Sequence, residues 1–275
     1  MGFFANIFGY LLNFLYELFK NYGLSIILFS VIVKLLMLPI SIKQQKTMKK
    51  TTKLQGKLKE IQFKYKNDPE GLNRETIELY KNEKINPFGG CLSGIIQIVL
   101  LLSIFYLVKS PLTYMKKVDS ETINNYKEQI KTSEENKKSV YEEIEIIRKF
   151  GNQDEKVSIN MNFLGIDLSQ IPTENLNDYR TFIIPVLYVI SSFISIKLTS
   201  KMQGQANKKE DDSQSEEDPM AQASKSMTYM MPIMSISIAM IAPLGLALYW
   251  FINNVLIIVE RLVLNKIVSK EETDG

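Results

Sequence analysis

The sequence predicts an all-α polytopic membrane protein, and three observations carry that reading. The averages over 275 residues resemble those of a soluble chain: 45% hydrophobic, 23% charged, net charge +3 and mean hydropathy −0.03. The apolar residues are nevertheless gathered into blocks almost free of charge: Leu24 to Ile42, Pro87 to Val108, Thr181 to Ile196 and Met227 to Val259. A hydrocarbon core about 30 Å thick asks for about 20 such residues per helix. The connecting segments, in contrast, are strongly basic or strongly acidic, which orients the spans.

The first element, residues 1–22, is rich in aromatics, with Asn6, Asn13 and Glu17 recurring on one side. It reads as an interfacial amphipathic helix on the outer face, its rings at headgroup level. An extra or cleaved span is the alternative, although no basic residue precedes the apolar run. Asn6 stands where an acylation signal asks for Ser or Thr, so no lipid anchor is expected. The first span follows at 23–42. Residues 43–84 carry 12 Lys/Arg against 6 Asp/Glu, with seven lysines and no acid from Lys43 to Lys59. Positive flanks stay inside, so this segment is cytosolic and the N-terminus is outside. Within it Leu54, Leu58, Ile61 and Tyr65 repeat at helical spacing, Asp68-Pro69 breaks the run, and Leu72, Thr76 and Leu79 resume it. That pattern predicts an antiparallel two-helix hairpin.

The second span, 85–109, opens at Pro87, a favourable first helical position. The extracellular loop 110–180 is acidic: Met115 to Tyr179 has 9 Lys/Arg against 13 Asp/Glu. Ile123, Tyr126 and Ile130, then Tyr141, Ile144 and Ile147, predict one or two amphipathic helices in it. The third span occupies 181–198, and a charged, apolar-poor cytosolic loop at 199–226 is expected to be disordered. The run Met227 to Val259 would measure about 50 Å as one helix, too long for a single crossing. Pro243 and Gly245 divide it into a fourth span, 227–242, and a fifth, 243–264, followed by a cytosolic tail, 265–275.

Composition narrows the function. The chain has no histidine and one cysteine, Cys91. Histidine-based nucleophile systems, zinc sites, haem ligation and proton relays are excluded, as are disulfide frameworks and thiolate clusters within one chain. No phosphate-cradling glycine loop is present. No enzyme activity, cofactor or metal site is expected.

Lys34 breaks the pattern of the spans. It has ten residues of the first block before it and eight after. A lysine at that depth costs roughly 2.5–3.5 kcal/mol on the lenient insertion scale. The boundary lies about 12 Å away at 1.5 Å per residue, about twice the reach of a lysine stem. With the fifth span counted only over its charge-free block to Val259, no Asp or Glu is expected inside any span to pair with it, so a water-filled recess is the favoured reading. Polar stripes on the other spans agree. Ser30 and Ser41 share the Lys34 face, Ser93 aligns with Gln97, Tyr188 with Ser191, Ser192 and Ser195, and Trp250 with Asn253 and Asn254. Taken singly, each stripe reads first as interhelical hydrogen bonding; their joint pattern around the cation favours the wet recess.

A proton-coupled transporter needs an intramembrane acid or histidine, and paired broken helices mark most secondary carriers. Neither is found. A cationic recess beside a basic cytosolic hairpin suits a polypeptide guest. A small-solute or anion channel or carrier is the alternative, and a structural assembly factor a third.

Tyr22-Gly-Leu-Ser-Ile-Ile, Val33-Lys34-Leu-Leu-Met-Leu-Pro39 and Gln44-Gln-Lys-Thr-Met-Lys-Lys resemble the first core span of YidC-type membrane protein insertases and the stretch after it. Tyr80 to Cys91, with Asn86-Pro87-Phe-Gly89-Gly90, resembles that family's entry into its second span. Pro243-Leu-Gly245-Leu-Ala-Leu-Tyr249-Trp250 with Asn253-Asn254 resembles its fifth. The likeness covers about residues 3 to 266 and corresponds to the short, Gram-positive-like form. Neither the cysteine-bearing lipoprotein signal of many Gram-positive members nor the large periplasmic domain of Gram-negative ones is expected.

The resemblance implies a five-span core with a hydrophilic groove open to cytosol and lipid. Its substrates would be nascent membrane proteins, and its surroundings the lipid bilayer of a bacterial cell membrane. It also implies work alone or with the Sec translocon, ribosome and signal recognition particle components, and no specific nucleic acid partner. The groove's basic residue falls on Lys34, where many relatives carry Arg; Lys keeps the charge and loses the bidentate fork. Ser30, Gln97, Ser192, Trp250, Asn253 and Asn254 are the other expected groove residues. Val99 stands where some relatives have Pro.

Overall fold

The computed structural model describes residues 2–83, 88–133, 140–202 and 237–273. The chain is helical almost throughout and forms two compact units. One gathers described residues within Met1–Lys34, Val99–Ile196 and Gln214–Ile258; the other gathers those within Leu35–Ile98, Lys197–Ser213 and Val259–Gly275.

Four helices are long and apolar enough to cross a membrane among the described residues. They are α1 (Gly2–Phe19), α2 (Tyr22–Lys53), α8 (Arg180–Met202) and α9 (Leu244–Thr273). A further helix, α5 (Phe88–Lys109), has 22 residues, about 33 Å at the helical rise, and carries no charge before Lys109. Of the segment expected to be the fourth span, residues 237–241 are helical, the chain bends at Ala242, and residues 227–236 lie outside the described residues. The loop expected to be disordered also lies outside them, apart from residues 199–202, which end α8.

The first span and the basic segment after it are one helix. α2 is 32 residues long, about 48 Å, and Pro39 lies inside it. A proline removes one backbone hydrogen bond without necessarily ending a helix. Beyond it the Lys- and Gln-rich sequence has good helix propensity, so the helix continues to Lys53.

In the second unit α3 (Gln55–Lys64) and α4 (Pro69–Asn82) make a helical hairpin. The Asp68 side chain caps α4 by accepting from the Gly71 backbone N–H at 2.9 Å, and Pro69 takes the first turn, where its missing donor costs nothing. Lys57 closes the open end on Glu83 at 2.7 Å. Two glycines here should respond oppositely to alanine. A methyl on Gly71 would lie 2.3 Å from an Asp68 carboxylate oxygen, so Gly71→Ala disturbs the cap and should cost about 1 kcal/mol. Gly56 has open space around it, so Gly56→Ala should stabilise α3 by up to about 1 kcal/mol. Amide exchange across residues 55–82 reads both signs.

In the first unit residues 110–180 fold into a cap with its own core. It contains a π-helical turn (Leu112–Lys116), α6 (Ser120–Ser133), α7 (Glu142–Phe150) and a two-stranded hairpin, β1 (Asn162–Phe163) with β2 (Ile166–Asp167). Ile123, Ile130, Tyr141, Ile144 and Ile147 are all buried, and Ile146 joins them. The same core takes in Leu12, Leu15 and Tyr16 of α1, Tyr22 and Ile26 of α2, and Leu244 and Leu246 of α9. Tyr126 donates to Asp154 at 2.7 Å and packs on Phe150, tying α6 to the far side of α7.

Segment 160–170 seals the starts of two membrane helices. The Tyr22 backbone N–H donates to the Asn160 carbonyl at 3.1 Å, and the Asn21 amide donates to the Asn162 carbonyl at 2.8 Å. Leu244 and Gly245 donate to the Gln170 and Leu168 carbonyls, each at 2.9 Å. The Tyr22, Leu244 and Gly245 N–H groups are first-turn donors that have no partner within a helix, so the cap supplies what a low-dielectric environment cannot.

A carboxylate lies inside the cap. Glu143 is buried, and its two oxygens accept from the Thr113 backbone N–H at 3.0 Å and the Thr113 hydroxyl at 2.6 Å. Burial raises its pKa, against the opposing pull of the Thr113 hydrogen bonds and of Lys127. The folded cap therefore holds this proton more tightly than the unfolded chain does. Its contribution is full below the ordinary carboxyl pKa of about 4.3 and is lost as pH rises through the higher folded value. Cap stability should fall over that window, and Glu143→Gln should flatten the slope; denaturant titrations at several pH values check both.

Candidate functional site: polar groups on the membrane helices

The first unit holds most of the polar side chains expected to matter. Ser30 is buried on α2 and donates to the Ile26 carbonyl of its own helix at 2.7 Å. Ser25 and Ser103 are also buried and bond back four residues in the same way, each at 2.7 Å. Such back-bonding satisfies a hydroxyl without water, so these serines do not by themselves require a wet recess.

Lys34 sits one helical turn beyond Ser30, is half-buried and takes part in at least one interaction with another group. The expectation of an ammonium group without a mate therefore does not carry over. The expectation that no span holds a carboxylate also fails. The apolar stretch of α9 runs on to Leu264 and includes Glu260 and Arg261, both half-buried and both engaged. Glu260 and Arg261 fall inside the expected fifth span, 243–264, although the charge-free block ends at Val259.

α8 and α9 are joined by two layers of side chains. Tyr188 and Trp250 pack ring on ring, with centroids 5.7 Å apart and planes tilted by 37°. One turn further along, the Asn254 amide donates to the Ser192 hydroxyl at 2.7 Å and reaches Ser191 at 3.4 Å. Both layers pair residues 62 apart in sequence, as two helices running side by side in the same direction require. Ser191 and Ser192 are buried, while Trp250, Asn253 and Asn254 are half-buried. Here the interhelical alternative is realised for Ser192 and Asn254. Gln97 and Ser93 have backbones on α5, but their side chains lie outside the described residues.

Sequence reasoning missed the contact that seats α1. Ala5, Gly9, Leu12, Leu15 and Tyr16 form its buried face, against the π-helical turn. Lys117 completes the seat, donating to Asn6 at 2.6 Å and lying over the Tyr10 ring at 4.5 Å. The opposite face exposes Phe3, Ile7, Tyr10, Phe14 and Leu18. The spacing of Ala5, Gly9, Leu12 and Tyr16 was a readable signal for a packed face.

The sequence profile of the family described as "60Kd inner membrane protein" matches residues 14–272. The chain belongs to the 60Kd inner membrane protein family. A relative from Fusobacterium nucleatum, named membrane protein insertase YidC, is 41% identical over 102 residues, covering 37% of this chain and 50% of the relative. Relatives of the same name from Treponema denticola and Citrifermentans bemidjiense are 26% and 28% identical over 261 and 258 residues. Those matches cover 95% and 94% of this chain but 37% and 36% of the relatives. The chain thus spans about half the length of the first relative and well under half of the others. Membership in the 60Kd inner membrane protein family, with several apolar helices, makes it an all-α, multi-pass protein of the bacterial membrane. That family is not a known enzyme class.

Proposed function

We propose that this chain is a membrane protein insertase that moves the polar part of a nascent membrane protein past the bilayer while its apolar part passes into lipid. The observation that carries the reading is a cation, Lys34, midway along an otherwise uncharged span, in a chain whose relatives bear the insertase name. Several expectations from the sequence remain part of this proposal. They are the five-span topology with N-terminus out and C-terminus in, and the groove residues Lys34, Ser30, Gln97, Ser192, Trp250, Asn253 and Asn254. Action without enzyme chemistry, alone or with Sec, ribosome and signal recognition particle components, also belongs here.

The mechanism is electrostatic. The basic hairpin segment Lys43 to Lys84 gathers the client at the cytosolic surface. Its acidic tail is drawn toward Lys34, whose field is strong in a low-dielectric surround. Membrane potential adds about 2.3 kcal/mol per negative charge moved outward per 100 mV. The client's apolar helix leaves sideways into lipid, where its own transfer energy holds it. A photo-crosslinker placed at position 34 or 253 should capture a stalled nascent client, and one at exposed Asn152 should not. Equal capture at all three positions contradicts a groove route.

A further inference from the structure

The hairpin that seals the start of α2 carries an exposed leucine where a turn asks for asparagine. Leu164 and Gly165 have φ of 52° and 80°, both left-handed, as a two-residue turn between β1 and β2 needs. Asn, Asp or Gly is the usual first residue of such a turn. Leu164 is strained there and 86% exposed, so neither the turn nor the cap core accounts for it.

Its place in the fold supplies a reason. The neighbouring Phe163 ring lies over Gly23, in the first turn of the membrane helix α2. Leu164 is therefore the residue next to a side chain that lies against the first turn of that span. Two more exposed apolar residues of the cap, Leu176 at 68% and Tyr179 at 74%, lie in the stretch that leads into Arg180, the first residue of α8. By contrast, exposed residues elsewhere in the cap, such as Asn124, Asn125, Lys131, Asn152 and Gln153, are polar. Apart from Val140, every large apolar side chain that the described cap exposes sits beside the start of a span.

We infer that Leu164, Leu176 and Tyr179 form a rim by which the cap rests on the bilayer, the leucines in the headgroup–acyl boundary and the tyrosine among the headgroups. Amphipathic tyrosine is enriched at that depth, and an exposed leucine loses its cost of hydration there. The lipid contact fixes the height of segment 160–170, and with it the starts of α2 and α9. This rests on the membrane location of the helices and not on the proposed insertase activity.

The test uses full-length protein in phosphatidylcholine liposomes, in a Cys91→Ser background. An environment-sensitive dye is attached at Leu164→Cys, Leu176→Cys or Asn152→Cys. At positions 164 and 176 it should be quenched by lipids carrying a shallow nitroxide and shielded several-fold from aqueous iodide relative to 152. Iodide access equal to that at 152 would overturn the inference. Shielding from both quenchers would also overturn it, by showing a protein occupant. Leu164→Asn gives an independent sign in unlabelled protein. Asparagine suits the turn better, so a purely local role for Leu164 predicts slower amide exchange in residues 160–170, which would contradict the rim. Lipid anchoring predicts faster exchange.

Discussion

Lys34→Glu should abolish insertion of clients whose translocated tails are acidic, while Lys34→Arg should retain it. At a separation of about 7 Å and an effective dielectric near 20, Lys34 attracts a client carboxylate by about 2 kcal/mol. Removing that attraction in Lys34→Ala lowers the insertion rate by up to about 30-fold if it acts fully in the rate-limiting step. Glutamate replaces it with repulsion of similar size and roughly doubles the penalty. Clients with neutral tails gain nothing from the cation, so Lys34→Ala should slow them far less. The comparison is a ratio of acidic-tail to neutral-tail insertion, which cancels differences in expression and folding. A ratio unchanged by Lys34→Glu would remove the electrostatic role.

Gly9→Ala should unseat α1. A methyl at position 9 would lie 1.8 Å from the Tyr114 carbonyl oxygen, and that atom belongs to backbone held by the π-helical turn. A flexible side chain would yield; this carbonyl cannot move without shifting Leu112 and Met115, both fully buried. Overpacking of this kind costs about 1–3 kcal/mol, so amide protection across residues 5–16 should fall by roughly 5- to 150-fold. Leu12→Ala, which cuts a cavity on the same face, should weaken the seat without a clash, by about 2–5 kcal/mol if α1 and the cap unfold together. Unchanged exchange in Gly9→Ala would mean that α1 lies free of the cap.

What could be read from the residues and what could not follow from the range of the forces involved. Helical period and charge segregation are local, so the membrane helices and the buried faces of α6 and α7 were legible from Ile123, Ile130, Ile144 and Ile147. The Asp68-Pro69 stop was legible because capping chemistry spans only four residues. The pairing of Ser192 with Asn254 was half legible: the stripes were visible, but a stripe facing water and a stripe facing another helix are the same stripe. Which one is realised depends on residues 62 apart. Glu143 was not legible, because an acidic residue in an acidic loop gives no sign of burial until Thr113 is known to face it. The length of α2 was missed because Pro39 and the first lysines suggest a membrane edge, while the backbone has no reason to stop there.

The most direct measurement reconstitutes the purified chain alone into liposomes and follows, together, protease protection of a single-span client with an acidic tail and the flux of small anions. The expected result is client insertion that depends on Lys34, with no anion flux above that of empty liposomes. Anion flux that depends on Lys34, without client insertion, would contradict it.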